Sequence, residues 1–170
     1  MTDDSFTTAD SAGDWAYALR ERGWQVVPTV PWGKHGRAAA VSGPQIQMRL
    51  VDDILFNRWF GRKGKYRQAR HLGIFTGAVS GGLFVFEINT LDPGAMHWWS
   101  VVAQRMGVDP GKEFTAYTGD HHLRVFLQIK GDVLPPRGMI RPGVTIFGDG
   151  DFLVIPVRTL ADEKRDKGVQ

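Results

Sequence analysis

The sequence predicts an α+β protein with a mostly antiparallel sheet and flanking helices. Three observations predict it. Seven short runs rich in β-branched and aromatic residues are separated by Gly- and Pro-bearing turns. Three stretches carry helical periodicity. Twenty-one glycines and nine prolines in 170 residues supply the tight turns that such a chain needs.

Taken in order, residues 1–12 are acidic and polar, the opposite of a signal peptide, and are expected to form a flexible leader. Asp10 or Ser11 is placed to cap a helix over about 12–22, with Trp15, Ala18, Leu19 and Arg22 along one stripe and Gly23 at its end. Residues 24–28 read as a short strand. Residues 30–44 are a Pro/Gly-rich loop that bunches Lys34, His35 and Arg37, a composition suited to phosphate. Residues 50–60 predict a helix with Ile54, Leu55, Arg58 and Trp59 on its packed face. The segment 61–70 then concentrates Arg62, Lys63, Lys65, Arg67 and Arg70, the best nucleic-acid contact by charge, with a solvated linker as the alternative.

Residues 71–76 and 83–89 predict two strands joined as a hairpin through a Gly/Ser turn. The second ends on Glu87 and Asn89, which alternation puts on one face. Residues 93–106 predict a helix with Trp98, Trp99, Val102 and Met106 inward, ended by Gly107. After a strand at 114–118 and a turn at Gly119 and Asp120, residues 121–130 form a long strand. Its His122, Arg124, Phe126 and Gln128 share one face; His121, Leu123, Val125, Leu127 and Ile129 share the other, which is mostly core. A turn at 135–138, a strand at 144–147, a tight turn at 148–151 and a strand at 152–156 follow. The tail over 161–170 is charged and expected to fray.

The length suits one domain, expected over 13–160. The formal net charge of +3 is compatible with a polyanionic partner. The absence of cysteine excludes disulfides, thiolate metal sites and cysteine nucleophiles. No apolar run has the length of a membrane span, so no membrane is expected and a cytoplasmic location is the default. The nucleophile-elbow, P-loop and HExxH patterns are all missing.

Glu87 with Asn89, His122 with Arg124, and Thr145 are three polar places that could converge. With Lys34 they would form a site for a phosphate–metal ligand: the carboxylate holds the cation, while His and Lys hold phosphate oxygens. The alternative is that the strand ends and turns polar at Leu91, Asp92, Pro93 and Gly94. The Gly148–Asp151 stretch suggests calcium, but its spacing is not that of an EF-hand and fits a hairpin turn better.

Five stretches, in order, resemble the bifunctional primase–polymerase (Prim-Pol) family of the archaeo-eukaryotic primase superfamily, found on phages and plasmids. They are ALRERGWQVVPTVPWGK, DDILFNRWF, HLGIFTGAVSGGLFVFEIN, TAYTGDHHLRVFLQ and GVTIFGDGDFLVIPV, and the resemblance runs from about Trp15 to Leu160. It implies a Prim-Pol fold and template-directed nucleotidyl transfer from (d)NTPs on DNA, with Mg2+ or Mn2+ and a helicase domain or protein as a partner. Carried onto this chain, it implies catalysis by Glu87, Asn89, His122 and Thr145, with Glu87 and Asn89 as metal ligands. It also implies nucleotide binding by Lys34, His122 and Arg124, with His121 as the second choice for the motif histidine. The chain departs from the family in its acids. The Asp-x-Asp or Asp-x-Glu motif reads Glu87-Ile88-Asn89, and Thr145 and Phe147 replace the acid and the arginine of the third motif. Two-metal phosphoryl transfer needs several carboxylates, so weak metal binding and impaired or absent catalysis are expected, with a non-catalytic DNA- or nucleotide-binding module as the alternative.

Overall fold

The computed structural model describes residues 11–32, 36–41, 43–109, 113–118, 120–131 and 137–157. The expected leader, except for Ser11 and Ala12, lies outside these residues, as do the charged tail, Lys34, His35, Gly119, Pro135 and Pro136. In chain order the elements are α1 (Ala12–Glu21), β1 (Gln25–Trp32), β2 (Gly36–Ala39), α2 (Pro44–Met48), α3 (Asp53–Phe60), β3 (His71–Phe75) and β4 (Leu83–Asn89). Then follow α4 (Pro93–Met106), β5 (Phe114–Tyr117), β6 (His122–Gln128), β7 (Gly138–Arg141), β8 (Val144–Phe147) and β9 (Phe152–Pro156). The expected α+β class is what is seen, with all strand pairing antiparallel. No helix among the described residues is long and apolar enough to cross a membrane.

The chain forms two compact units, one from residues 1–75 with 152–170 and the other from 76–151. In the first, the sheet runs β2-β1-β3-β9. Ser11 caps α1: its hydroxyl accepts the Asp14 N–H and donates to the Asp14 carboxylate at 2.6 Å. The helix buries Trp15, Ala16 and Leu19, and Gly23 at φ +82° takes the chain out of it. Ala18 and Arg22, expected on that stripe, are only half-buried. In α3 the expected face is also displaced: Ile54 is 76% exposed, while Phe56, Trp59 and Phe60 are buried. Aromatic area decides this. Phe56 meets the Tyr17 ring of α1 edge-on at 5.1 Å and the Phe60 ring at 5.1 Å, contacts that a β-branched side chain cannot match.

In the second unit the sheet runs β5-β6-β4-β8-β7. Helix α4 has the bounds expected. Asp92 caps it by accepting the N–H groups of Gly94 and Ala95, Pro93 opens it, and Gly107 at φ +66° ends it. It buries Ala95, Trp99 and Ala103 against Phe84, Phe86 and Ile88 of β4 and the inward residues of β6 and β8. Met106, expected inward, sits in the last turn and is 48% exposed.

Two supposed hairpins are not hairpins. β3 pairs with β1 and β9, whereas β4 pairs with β6 and β8. β8 and β9 likewise belong to different sheets. Segments 76–82 and 148–151 carry the chain from one sheet to the other and bond to each other: the Thr76 N–H donates to the Asp151 carbonyl at 2.9 Å, and the Ala78 N–H to the Asp149 carboxylate at 2.9 Å. Gly77, at φ +92°, lies so close to Asp149 that a Cβ would stand 2.0 Å from its Oδ1. The edge strands β2 and β7 had no sequence signature, because each is four residues long and opens on a glycine.

Candidate functional site

β4 is the middle strand of the second sheet, and its pairing assembles the candidate site. Glu87 stands directly opposite Arg124 on β6 and Thr145 on β8, and Asn89 stands opposite His122. Directly opposed residues of an antiparallel pair share a face. Five positions spread over 59 residues, from Glu87 to Thr145 by difference plus one, therefore lie on one face. The core packed on α4 takes the other. Lys34, expected beside them, lies outside the described residues.

The central contact is an ion pair. Arg124 Nε donates to Glu87 Oε2 at 2.6 Å, with the side chains only 16% and 18% exposed respectively. The Arg124 guanidinium also lies 5.9 Å from the centre of the Phe147 ring on β8. Asn89 Oδ1 accepts the Leu91 N–H at 2.9 Å, closing a local turn after the strand. His122 Nδ1 lies 3.4 Å from an Asp120 carboxylate oxygen, and its backbone N–H donates to the Thr118 hydroxyl. A hydrogen bond from the Thr118 hydroxyl holds the Asp120 carboxyl below its ordinary range, against a burial effect that opposes it, and His122 adds to the lowering. His121 lies before β6 in a left-handed turn at φ +63°, its carbonyl accepting from Thr90. Of the two candidate histidines, His122 is the one on the site face.

These contacts bear on a metal. Mg2+ and Mn2+ take oxygen donors that are free to face the ion. Glu87 Oε2 already faces a guanidinium, so a cation on that oxygen would meet a fixed positive charge. Asn89 Oδ1 already accepts a backbone N–H, and Thr145 offers a neutral hydroxyl. As arranged, this donor set does not fit a divalent cation. The nitrogen-bearing groups of this face are the Arg124 guanidinium and the His122 imidazole, which suit an anionic group better than a cation. Sequence reasoning found these residues but missed that the acid and the arginine were partners. The signal was present: both sit at polar positions in alternating strands.

Both carboxylates of the 148–151 turn already serve contacts within the protein. Asp149 accepts from Ala78, and Asp151 accepts the Gly148 N–H at 2.8 Å and faces Arg137 at 3.6 Å.

The basic segment divides. Arg62, Lys63, Lys65 and Arg70 are exposed. Arg67, expected with them as a DNA contact, is half-buried, bonding the Asp14 carboxylate at 2.8 Å and the Phe60 carbonyl at 3.4 Å. Burial pushes the Asp14 carboxyl up, but the Ser11 hydroxyl and Arg67 outweigh it and hold it below its ordinary 3.8. A carboxyl lowered on folding stabilises the fold above pH 3.8, and that contribution fades as pH falls through the lower folded value. Arg67→Gln is therefore expected to bring acid unfolding to higher pH. Neutralising Arg62 leaves the acid limb in place. Urea titrations across the acid range read the difference, and identical acid limbs would count against a structural Arg67.

No protein-family model matches this chain, and no curated protein matches it.

Proposed function

We propose that this chain is a primase–polymerase-like domain that binds DNA or nucleotide and whose nucleotidyl-transfer centre is impaired. Support for the domain type comes from the convergence of motif positions 87, 89, 122, 124 and 145 on one face of one sheet, since separate motifs serve one reaction only where they meet. Support for impairment comes from the Arg124–Glu87 pair, which puts a guanidinium where the resemblance calls for a metal ion. The residues present still suit the binding of phosphate oxygens, with His122 steadied by Asp120 and Arg124 fixed by Glu87.

Primer extension on a DNA template, with dNTPs and either Mg2+ or Mn2+, tests this beside a Glu87→Ala control. The expected result is no extension with either metal, together with retained DNA binding that weakens as salt rises. Neutralising one of Arg62, Lys63, Lys65 or Arg70 should lower the slope of log affinity against log salt by about 1 if that residue meets a phosphate. Extension that disappears in Glu87→Ala would restore a working metal and overturn the impairment. Absence of both extension and ligand binding would overturn the domain assignment.

A further inference from the structure

The first unit carries a second cluster of nitrogen donors, on the sheet β2-β1-β3-β9. Arg37 of β2 is tied down at two points: Nε donates to the Thr29 hydroxyl at 2.8 Å and Nη2 to the Thr29 carbonyl at 3.2 Å. Thr29 is 3% exposed, so the anchor is buried and fixed. Its hydroxyl reaches the His71 carbonyl at 3.4 Å, just past the last β1–β3 pair, Pro28 opposite Leu72. Arg37 pairs two positions along from Ala39, which faces Thr29, and so shares that face. Arg70 precedes His71 and is exposed.

Among the described residues no carboxylate pairs with Arg37 or Arg70. His71 Nδ1 is buried without a hydrogen-bond partner. The Thr29 hydroxyl links Arg37 Nε to the His71 carbonyl, and Arg70 is the chain neighbour of His71; burial, then the positive charges of Arg37 and Arg70, push the His71 imidazole below its ordinary pKa. Two like charges beside one ring, with no acid between them among the described residues, favour an anion that joins them. With Nε and one Nη2 hydrogen engaged, Arg37 keeps its Nη1 donors free in a fixed orientation, the arrangement that suits a phosphate oxygen.

We propose that Arg37, Arg70 and His71 form a phosphate-binding site on the first unit, separate from the Glu87–Arg124 site. The ligand is a phosphate group, carried by a polynucleotide backbone or by a free nucleotide. None of its residues belongs to the convergent face; Arg70 alone is shared with the basic segment of the proposed function, whereas Arg37 and His71 have no part in that reading.

The test follows the Arg37 Nε–Hε and His71 ring signals by NMR in the full chain during titration with inorganic phosphate, with chloride at matched ionic strength as the control. Saturable shifts at both residues with phosphate alone are expected, weakened about tenfold in Arg37→Gln and in Arg70→Gln. Arg70→Gln alters an exposed side chain and so separates lost binding from lost folding. Oligothymidylate and dTTP then distinguish the sources, and a saturable effect of either at these signals supports the site. Absence of shifts, equal shifts with chloride, or shifts with inorganic phosphate that neither carrier reproduces would overturn it. Because the readout is local to Arg37 and His71, its failure is distinct from a failure of primer extension at the Glu87–Arg124 face.

Discussion

Arg124→Leu is expected to destabilise the protein by about 3 kcal/mol, whereas the double variant Glu87→Leu with Arg124→Leu should lie within about 1 kcal/mol of the parent. The asymmetry follows from where the pair sits. Both side chains are more than four-fifths withdrawn from water, and they meet through a 2.6 Å charge-assisted bond. Removing the arginine leaves a carboxylate in the middle of a sheet face with no cation to replace the water it lost. Removing both ends takes away the attraction and the desolvation penalty together. Arg124 also touches the Phe147 ring, and a leucine retains part of that contact. A double-mutant cycle by urea unfolding measures the coupling. Near-additive single and double values would mean that the pair is loosely held, and would remove the main support for an impaired metal site.

Trp99→Ala should cost about 3–5 kcal/mol, the range for truncating a buried aromatic. Trp99 is 3% exposed and is the bulkiest side chain that α4 buries against the second sheet. Its ring lies 5.2 Å from that of Phe86, which also meets Phe84 at 5.7 Å and Trp98 at 6.0 Å. Ala95 and Ala103, one turn to either side, are too small to collapse into the cavity. Phe86 is adjacent to Glu87, so the loss should also loosen the strand that positions the site. Trp99→Phe, which keeps an aromatic face, should lose less than half as much in the same unfolding experiment. Equal losses from both variants would argue against cavity formation as the cause.

Much of the site was legible in the sequence because strand periodicity is short and strict. Alternation over 83–89 and 121–130 separated the Glu87 and Arg124 face from the Phe86 and Val125 face, and the register bears out both assignments. The bounds of α4 were legible from Asp92, Pro93 and Gly107, each acting through local chemistry. Pairing partners were not. Nothing within residues 71–89 shows that β3 prefers β1 and β9, and proximity in sequence favoured a hairpin that the Gly77–Gly82 turn does not make. The role of Arg67 was hidden for a similar reason. Its partner, Asp14, is 53 positions away, and composition shows a charge but not what neutralises it.

The position of Glu87 between two partner strands also limits the order in which this sequence can change. The Arg124 guanidinium reaches over Phe147, on the same strand as Thr145. An acid arriving at position 145 while Arg124 remains would give that guanidinium a second carboxylate to hold, and the internal cation would become harder to displace. Loss of Arg124 first would pass through a chain carrying a half-buried Glu87 without its cation. Drift toward an acid-rich centre therefore either reinforces the present arrangement or crosses a poorly folded intermediate. The ion pair makes an acid-rich centre hard to reach at this face one substitution at a time.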